Sequence, residues 1–245
     1  MKWFYIWSEI YADFHKYLEE AITDAKFECC PVYIAQEKFS KELYQHLPNS
    51  PWAGCNIKVL EILRILKEEV QENEGFLFTD VDIYLRPGSN IFDVMNLYDS
   101  FPEIDMIYSP EQDNIQIGSM FLRKNKNVID FWENILKLCI ENPNELDQTI
   151  INKELKIYPK NAWKIFPPEH VLNCHNIRQC HENCFLIYNF MVNNINQEND
   201  IEDKKLQFNY LIELLIHKNI ISPDNRRYFI LLKNGYYLSA ELQNS

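Results

Sequence analysis

Phe76-Leu77-Phe78-Thr79-Asp80-Val81-Asp82 is the stretch on which the reading of this chain turns. A short apolar run, two of its three residues aromatic, predicts a strand buried on both faces. It runs straight into two carboxylates one residue apart. Alternate residues of an extended segment point the same way, so Asp80 and Asp82 can converge on one cation. Hard divalent ions take oxygen ligands, and Mg2+ or Mn2+ typically shares one or two carboxylates with substrate phosphates. The same tripeptide also arises as a plain surface turn in an acidic chain. Its place at the exit of a buried strand is what points to a site.

Upstream, Val59, Leu60, Leu63, Leu66 and Val70 fall at helical spacing and predict a helix over 57–70, capped by Asn56 and stopped by Gly75. Trp3-Phe4-Tyr5-Ile6-Trp7 reads as a first strand, and Phe14, Tyr17, Leu18, Ala21 and Ile22 give 11–24 a helical stripe. A second strand is expected over 31–35 and a short helix over 37–47. Downstream, strands are expected at 105–108, 119–122 and 185–188, and helices at 127–140, 146–154 and 205–217. Segments 228–232 and 236–240 flank Asn234-Gly235, a two-residue hairpin signal. This alternation predicts an α/β fold with a mixed, mainly parallel sheet and helices on both faces. In such sheets ligands bind at the carboxyl ends of the strands, where Asp80 would lie. With no repeat and no linker, 1–204 reads as one domain, and 205–245 as a helix-and-hairpin appendage of it.

Composition narrows the chemistry. Only 5 glycines occur in 245 residues, and neither Gly-x-Gly-x-x-Gly nor a Walker-type loop is present, so phosphate must be held by other means. The formal charge of −12 opposes binding to nucleic acid or anionic membrane, and an anionic small substrate would need a local cation. The apolar start breaks at Ser8-Glu9, too soon for a signal sequence or a membrane span. An odd count of 7 cysteines, with Cys29 and Cys30 adjacent, suits a reduced cytoplasmic chain.

From Lys58 to Asn152 the order of motifs resembles the GT-A glycosyltransferases, of the glycogenin-like nucleotide-diphospho-sugar transferase type. The matching pieces are Lys58 on a helix, Asp80-Val81-Asp82 after a strand, the run from Gln116 through Gly118 to Arg123, and Asp147-Gln148 leading to Asn152. The resemblance implies transfer of a sugar from a nucleotide-sugar donor, by analogy a UDP-sugar, to a hydroxyl of a glycan or similar acceptor, with retention of configuration. It also implies that Asp80 and Asp82 hold Mn2+ or Mg2+, that Lys58 reaches the donor, and that Gly118 lets the backbone approach the sugar. Asp147, Gln148 and Gln116 would serve the reaction centre, with Trp7, Ser8 and Tyr11 near the base and Lys204 or Lys205 on the diphosphate. Were the enzyme inverting, Asp147, Glu111 or Asp113 would be candidate bases.

The chain departs from the pattern at two points. Gln116 stands where Asn is usual, and Tyr188 stands where a late metal-binding His is expected, leaving Asn189 or His175 (or His181) as candidate third ligands. Cys174-His175 and Cys180-His181-x-x-Cys184 gather five soft ligands that could take zinc, but in no Cys-x-x-Cys pairing; buried thiols are the plainer reading. Cys29, Cys30, Cys55 and Cys139 read as core, and His15, His46, His170 and His217 have no evident partner. Two alternatives stand beside the transferase. One is a nucleotide-sugar binder with little turnover. The other is a haloacid dehalogenase-like phosphatase, whose motif continues with Gly-Thr where this chain has Ile83-Tyr84.

Overall fold

The computed structural model describes residues 1–35, 53–111, 114–173, 180, 184–188 and 197–232, and side chains within these except at 53–56, 188 and 197–200. Six strands form the main sheet: β1 (Lys2–Trp7), β2 (Glu28–Tyr33), β3 (Gly75–Thr79), β5 (Met106–Glu111), β6 (Asn114–Arg123) and β7 (Trp163–Ile165), in the order β2-β1-β3-β6-β5-β7. The β1–β2, β1–β3 and β5–β7 pairs are parallel, and β6 runs antiparallel to both its neighbours. A smaller sheet joins β4 (Tyr84–Leu85), β9 (Leu186–Tyr188) and β8 (Val171–Asn173) in that order.

Alternation along the central strands divides the core into two layers. Trp3 and Tyr5 of β1, Leu77 of β3, Ile107 of β5 and Phe121 of β6 enter one layer. The intervening Phe4, Phe76, Phe78, Met106, Tyr108, Met120 and Leu122 enter the other. The first layer packs on α1 (Ala12–Asp24), α3 (Ile91–Asp99) and α6 (Gln197–His217). The second packs on α2 (Ala53–Arg64), α4 (Lys126–Glu141) and α5 (Asp147–Glu154). Helices thus cover both faces, as the sequence predicts, and every residue of β3 is buried. β2 lies at the edge, where Pro31 costs no ladder hydrogen bond on its open side.

The helical stripes fall where expected, with differences of detail. α2 starts at Ala53, so Asn56 lies within the helix and does not cap it. The last turn of that helix, Ile65–Glu69, widens to a π-helix that keeps Ile65 and Leu66 buried. Residues 228–232 are not a strand. A 3-10 turn (Pro223–Tyr228) ends there, and the Asn209 side chain accepts from the N–H of Ile230 and donates to its carbonyl, both at 2.8 Å, so that peptide is satisfied without a partner strand. The other half of the expected hairpin, 236–240, and the helix expected over 37–47 lie outside the described residues. α6 runs unbroken across residue 204 and buries Phe208, Leu211, Ile212 and Leu215 against Phe14 and Tyr17.

Candidate active site at the carboxyl edge of the sheet

The ladder between β3 and β6 ends with Thr79 opposite Ser119. The buried Thr79 hydroxyl accepts from the Trp3 indole at 2.9 Å, fixing the last turn of strand before the carboxylates emerge. Beyond it the Asp80 N–H donates to the Gly118 carbonyl at 2.8 Å. This bond continues the β3–β6 register one residue past the ladder, while on its other side β6 is irregular. Its register against β5 jumps from Tyr108 opposite Met120 to Ser109 opposite Gln116, leaving Ile117, Gly118 and Ser119 outside the β5 ladder. The chain after Asp82 is held by Tyr17, whose hydroxyl donates to the Leu85 carbonyl at 2.8 Å and accepts from the Leu85 N–H at 2.9 Å.

Two lysines from different helices meet the two carboxylates. Lys58 Nζ of α2 lies 2.6 Å from Asp80 Oδ1, with side chains 20% and 32% exposed. Lys204 Nζ of α6 pairs with Asp82 Oδ2 in a more enclosed contact, 17% and 13% exposed. Lys204 also lies 3.5 Å from the Tyr11 hydroxyl and 5.5 Å from the centre of its ring. Burial works against the Lys204 charge, but Asp82 and the other negative groups around it outweigh burial and hold the ammonium above the ordinary lysine range. Burial, then Asp82, pushes the Tyr11 phenol up. Among the described residues each carboxylate spends one oxygen on its lysine, and no third His, Cys, Asp or Glu joins them. The donors are thus hard oxygens, two side chains held at one sheet edge, a set that suits Mg2+ or Mn2+ completed by phosphate oxygens and water.

Gly118 sits against this pair. A Cβ at that position would stand 3.0 Å from Asp80 Oδ2 and 2.6 Å from Gln116 Oε1, so the residue is there for space and not for an unusual backbone angle. Gln116 folds back, its Oε1 accepting from the Gly118 N–H. α5 closes the neighbouring side. Asn152 accepts from the Ile115 N–H at 2.9 Å and donates to the Ile115 carbonyl at 3.1 Å and the Gln148 carbonyl at 2.9 Å, tying α5 to the start of β6. Asp147 is buried at the helix start, where it accepts from the Gln148 N–H at 2.7 Å. The Gln148 amide donates to Glu111, which therefore stands as a hydrogen-bond partner of Gln148.

A glycosyltransferase that acts in glycosylation of the major capsid of PBCV-1 superimposes with a TM-score of 0.56 at 17% identity, over 78% of this chain and 96% of its own. The galactosyltransferase LgtC, solved with donor and acceptor sugar analogs, gives 0.51 at 10% identity over 93% and 100%. Mouse xyloside xylosyltransferase 1 gives 0.50 at 8% over 80% and 99%. The chain has the GT-A glycosyltransferase fold. No family pattern matches the sequence, and no curated protein matches it as a relative. The GT-A fold therefore rests on shape, sheet order and the placement of the motifs.

On this GT-A frame the expected residues separate into those that meet and those that do not. Lys58, Asp80, Asp82, Lys204 and Tyr11 come together; Val81 turns into the core between the carboxylates. Ser8 is buried just after β1, its carbonyl accepting from the Tyr11 N–H at 2.9 Å. Trp7 stacks on His15 with centroids 3.8 Å apart and planes 7° apart, and His15 lies 2.9 Å from the Tyr5 hydroxyl. His15 therefore has partners that the sequence did not reveal, as does His170, which stacks on Phe185 and faces the Tyr98 hydroxyl. Lys205 turns away from the site to Asp13 and Glu202, at 2.8 and 3.0 Å, so only Lys204 of the two can serve it. Asp113, Cys174, His175, His181, Asn189 and His46 lie outside the described residues, as does the side chain of Cys55. Cys139 and Cys184 are buried, while Cys29, Cys30 and Cys180 are half-buried. Asn152 ends the expected motif, but its tie to Ile115 and the β6 irregularity were not foreseen from sequence; the irregularity's one signal was the glycine.

Proposed function

We propose that this chain is a metal-dependent glycosyltransferase that moves a sugar from a nucleoside-diphosphate-sugar, a UDP-sugar by fold analogy, to a hydroxyl of a glycan or similar acceptor, with retention of configuration. The observation that carries the reading is the group of Asp80, Asp82, Lys58 and Lys204 beside Gly118 at the carboxyl edge of a GT-A sheet. Asp80 and Asp82 would hold Mn2+ or Mg2+, whose bound charge stabilises the diphosphate as it leaves the sugar. Lys58 and Lys204 bring positive charge to the same diphosphate from two sides, which a chain of net charge −12 needs locally. Gly118 leaves the donor sugar room against the backbone. Asp147 and the amide of Gln148 serve the sugar at the reaction centre, and the aromatic exit of β1 at Trp7, with Ser8 and Tyr11, faces the base. In a retaining transfer the departing phosphate can accept the acceptor's proton, so no free carboxylate base is required.

The 7 cysteines, odd in number and with Cys29 and Cys30 adjacent, favour a reduced, cytoplasmic setting. One observation favours a second reading, a nucleotide-sugar binder with little turnover: Gln116 covers the Gly118 N–H with its own amide. Donor hydrolysis separates the two. UDP-glucose, UDP-galactose and UDP-xylose, incubated with Mn2+ and with candidate acceptors, should release UDP at a rate that chelation abolishes. Tight Mn2+-dependent UDP binding with no release from any donor would favour the binder.

A further inference from the structure

The two ion pairs at the site do more than neutralise it. Lys58 and Lys204 place two positive charges against the two negative charges of Asp80 and Asp82, and the quartet is neutral. A divalent cation arriving alone would make it doubly positive. A nucleotide-sugar diphosphate arriving alone would make it doubly negative. Only the two together leave the balance unchanged. Lys204 makes this constraint severe, because its ammonium is enclosed between Asp82 and the Tyr11 ring. Separating it from Asp82 without another anion would strand a largely buried charge.

We infer that the Lys204 ammonium and the divalent cation are alternative occupants of Asp82, so that the cation enters only with the diphosphate onto which Lys204 transfers. This rests on the donor-binding role proposed above and adds a coupling to it. The metal and the nucleotide each raise the other's affinity, by the reciprocity that any such linkage obeys. Lys58 plays the same part more weakly at Asp80, where both side chains are more exposed and water screens the pair.

Opposite shifts in two affinities make the test. Binding of Mn2+ alone, followed by the paramagnetic signal of free Mn2+, should tighten about tenfold in Lys204→Gln, because Asp82 is released. Binding of UDP in saturating Mn2+, followed by calorimetry, should weaken by about the same factor in that variant. Lys204→Arg should keep Mn2+ binding as weak as in the parent protein. The gain should vanish in Lys204→Gln/Asp82→Asn, which ties it to this site and not to the acidic surface. Should Lys204→Gln fail to fold, Lys58→Gln carries the same test at Asp80 from another helix. Mn2+ binding no tighter in Lys204→Gln, in a protein that does bind UDP with Mn2+, would overturn the inference and leave the proposed function standing. Failure of the parent protein to bind UDP under any condition would remove the proposed function itself, while tighter Mn2+ binding in the variant would still uphold the competition at Asp82.

Discussion

The two ends of the β3–β6 ladder hold their cations in opposite ways. At one end Gly75 pairs with Arg123, whose side chain is only 6% exposed. Its guanidinium lies 3.0 Å from Asp99 and donates to the carbonyls of Asp99 at 2.8 Å, Asn73 at 2.9 Å and Ile104 at 3.2 Å. A Cβ on Gly75 would collide with Asp99 and Phe121, so nothing can enter there. At the other end Lys58 and Lys204 each rest on one carboxylate, Lys58 in the more open pair and Lys204 in the more enclosed one, beside a glycine that leaves room. A planar fork saturated by backbone carbonyls is a permanent fastener; a point charge on a flexible stem is exchangeable. On the function proposed above, one strand pair separates the work of holding the fold from the work of holding a ligand.

That contrast can be broken by mutation, and the largest effect should fall on binding. Asp80→Ala or Asp82→Ala should cost at least on the order of a hundredfold in Mn2+-dependent UDP affinity, measured by calorimetry, with the fold retained. Arg123→Met should act in the opposite sense. Losing the buried fork leaves Asp99 and several carbonyls without their donor, so urea unfolding should show a loss of about 3–5 kcal/mol. The UDP affinity of the molecules that remain folded should not change. Asn152→Ala lies between the two ends, because it ties α5 to β6 beside Gly118. It should destabilise by about 1–3 kcal/mol and lower the rate of donor turnover as well.

The smallest effect is one of pH. Burial lowers the affinity of His15 for a proton while Glu19 opposes it, and the net shift is downward. A depressed imidazole contributes stability that is complete above its unfolded pKa and is lost as pH falls toward the folded value. Slight loss of stability and a change in Trp7 fluorescence are therefore expected as pH drops below the ordinary histidine range, both absent in His15→Phe. The Lys204 pair behaves inversely. Its raised pKa keeps it intact through neutral pH and releases it only as pH climbs above the ordinary lysine range.

How much of this could be read from sequence follows from which signals are local. Phe76 to Asp82 announced both the buried strand and the carboxylates at its exit, because burial and alternation act residue by residue. The stripes of α1 and α4 were legible for the same reason. Pairing across long separations was not: Asp82 and Lys204 are 122 positions apart, and no spacing rule singles out Lys204 from Lys205 until α6 is placed. The stack of Trp7 on His15 and the grip of Asn152 on Ile115 were hidden likewise. The expected strand at 228–232 failed because the Asn209 side chain meets the hydrogen-bonding needs of Ile230, a competition that no propensity encodes.

The proposed function requires that two carboxylates at this edge share a divalent cation with a diphosphate. Calorimetric titration of the parent protein with UDP, once with Mn2+ and once with a chelator, tests it most directly. Binding is expected with Mn2+ and little or none without it, with no such difference in Asp80→Asn/Asp82→Asn. Equal affinity in both buffers, or a metal dependence that survives the double substitution, would contradict it.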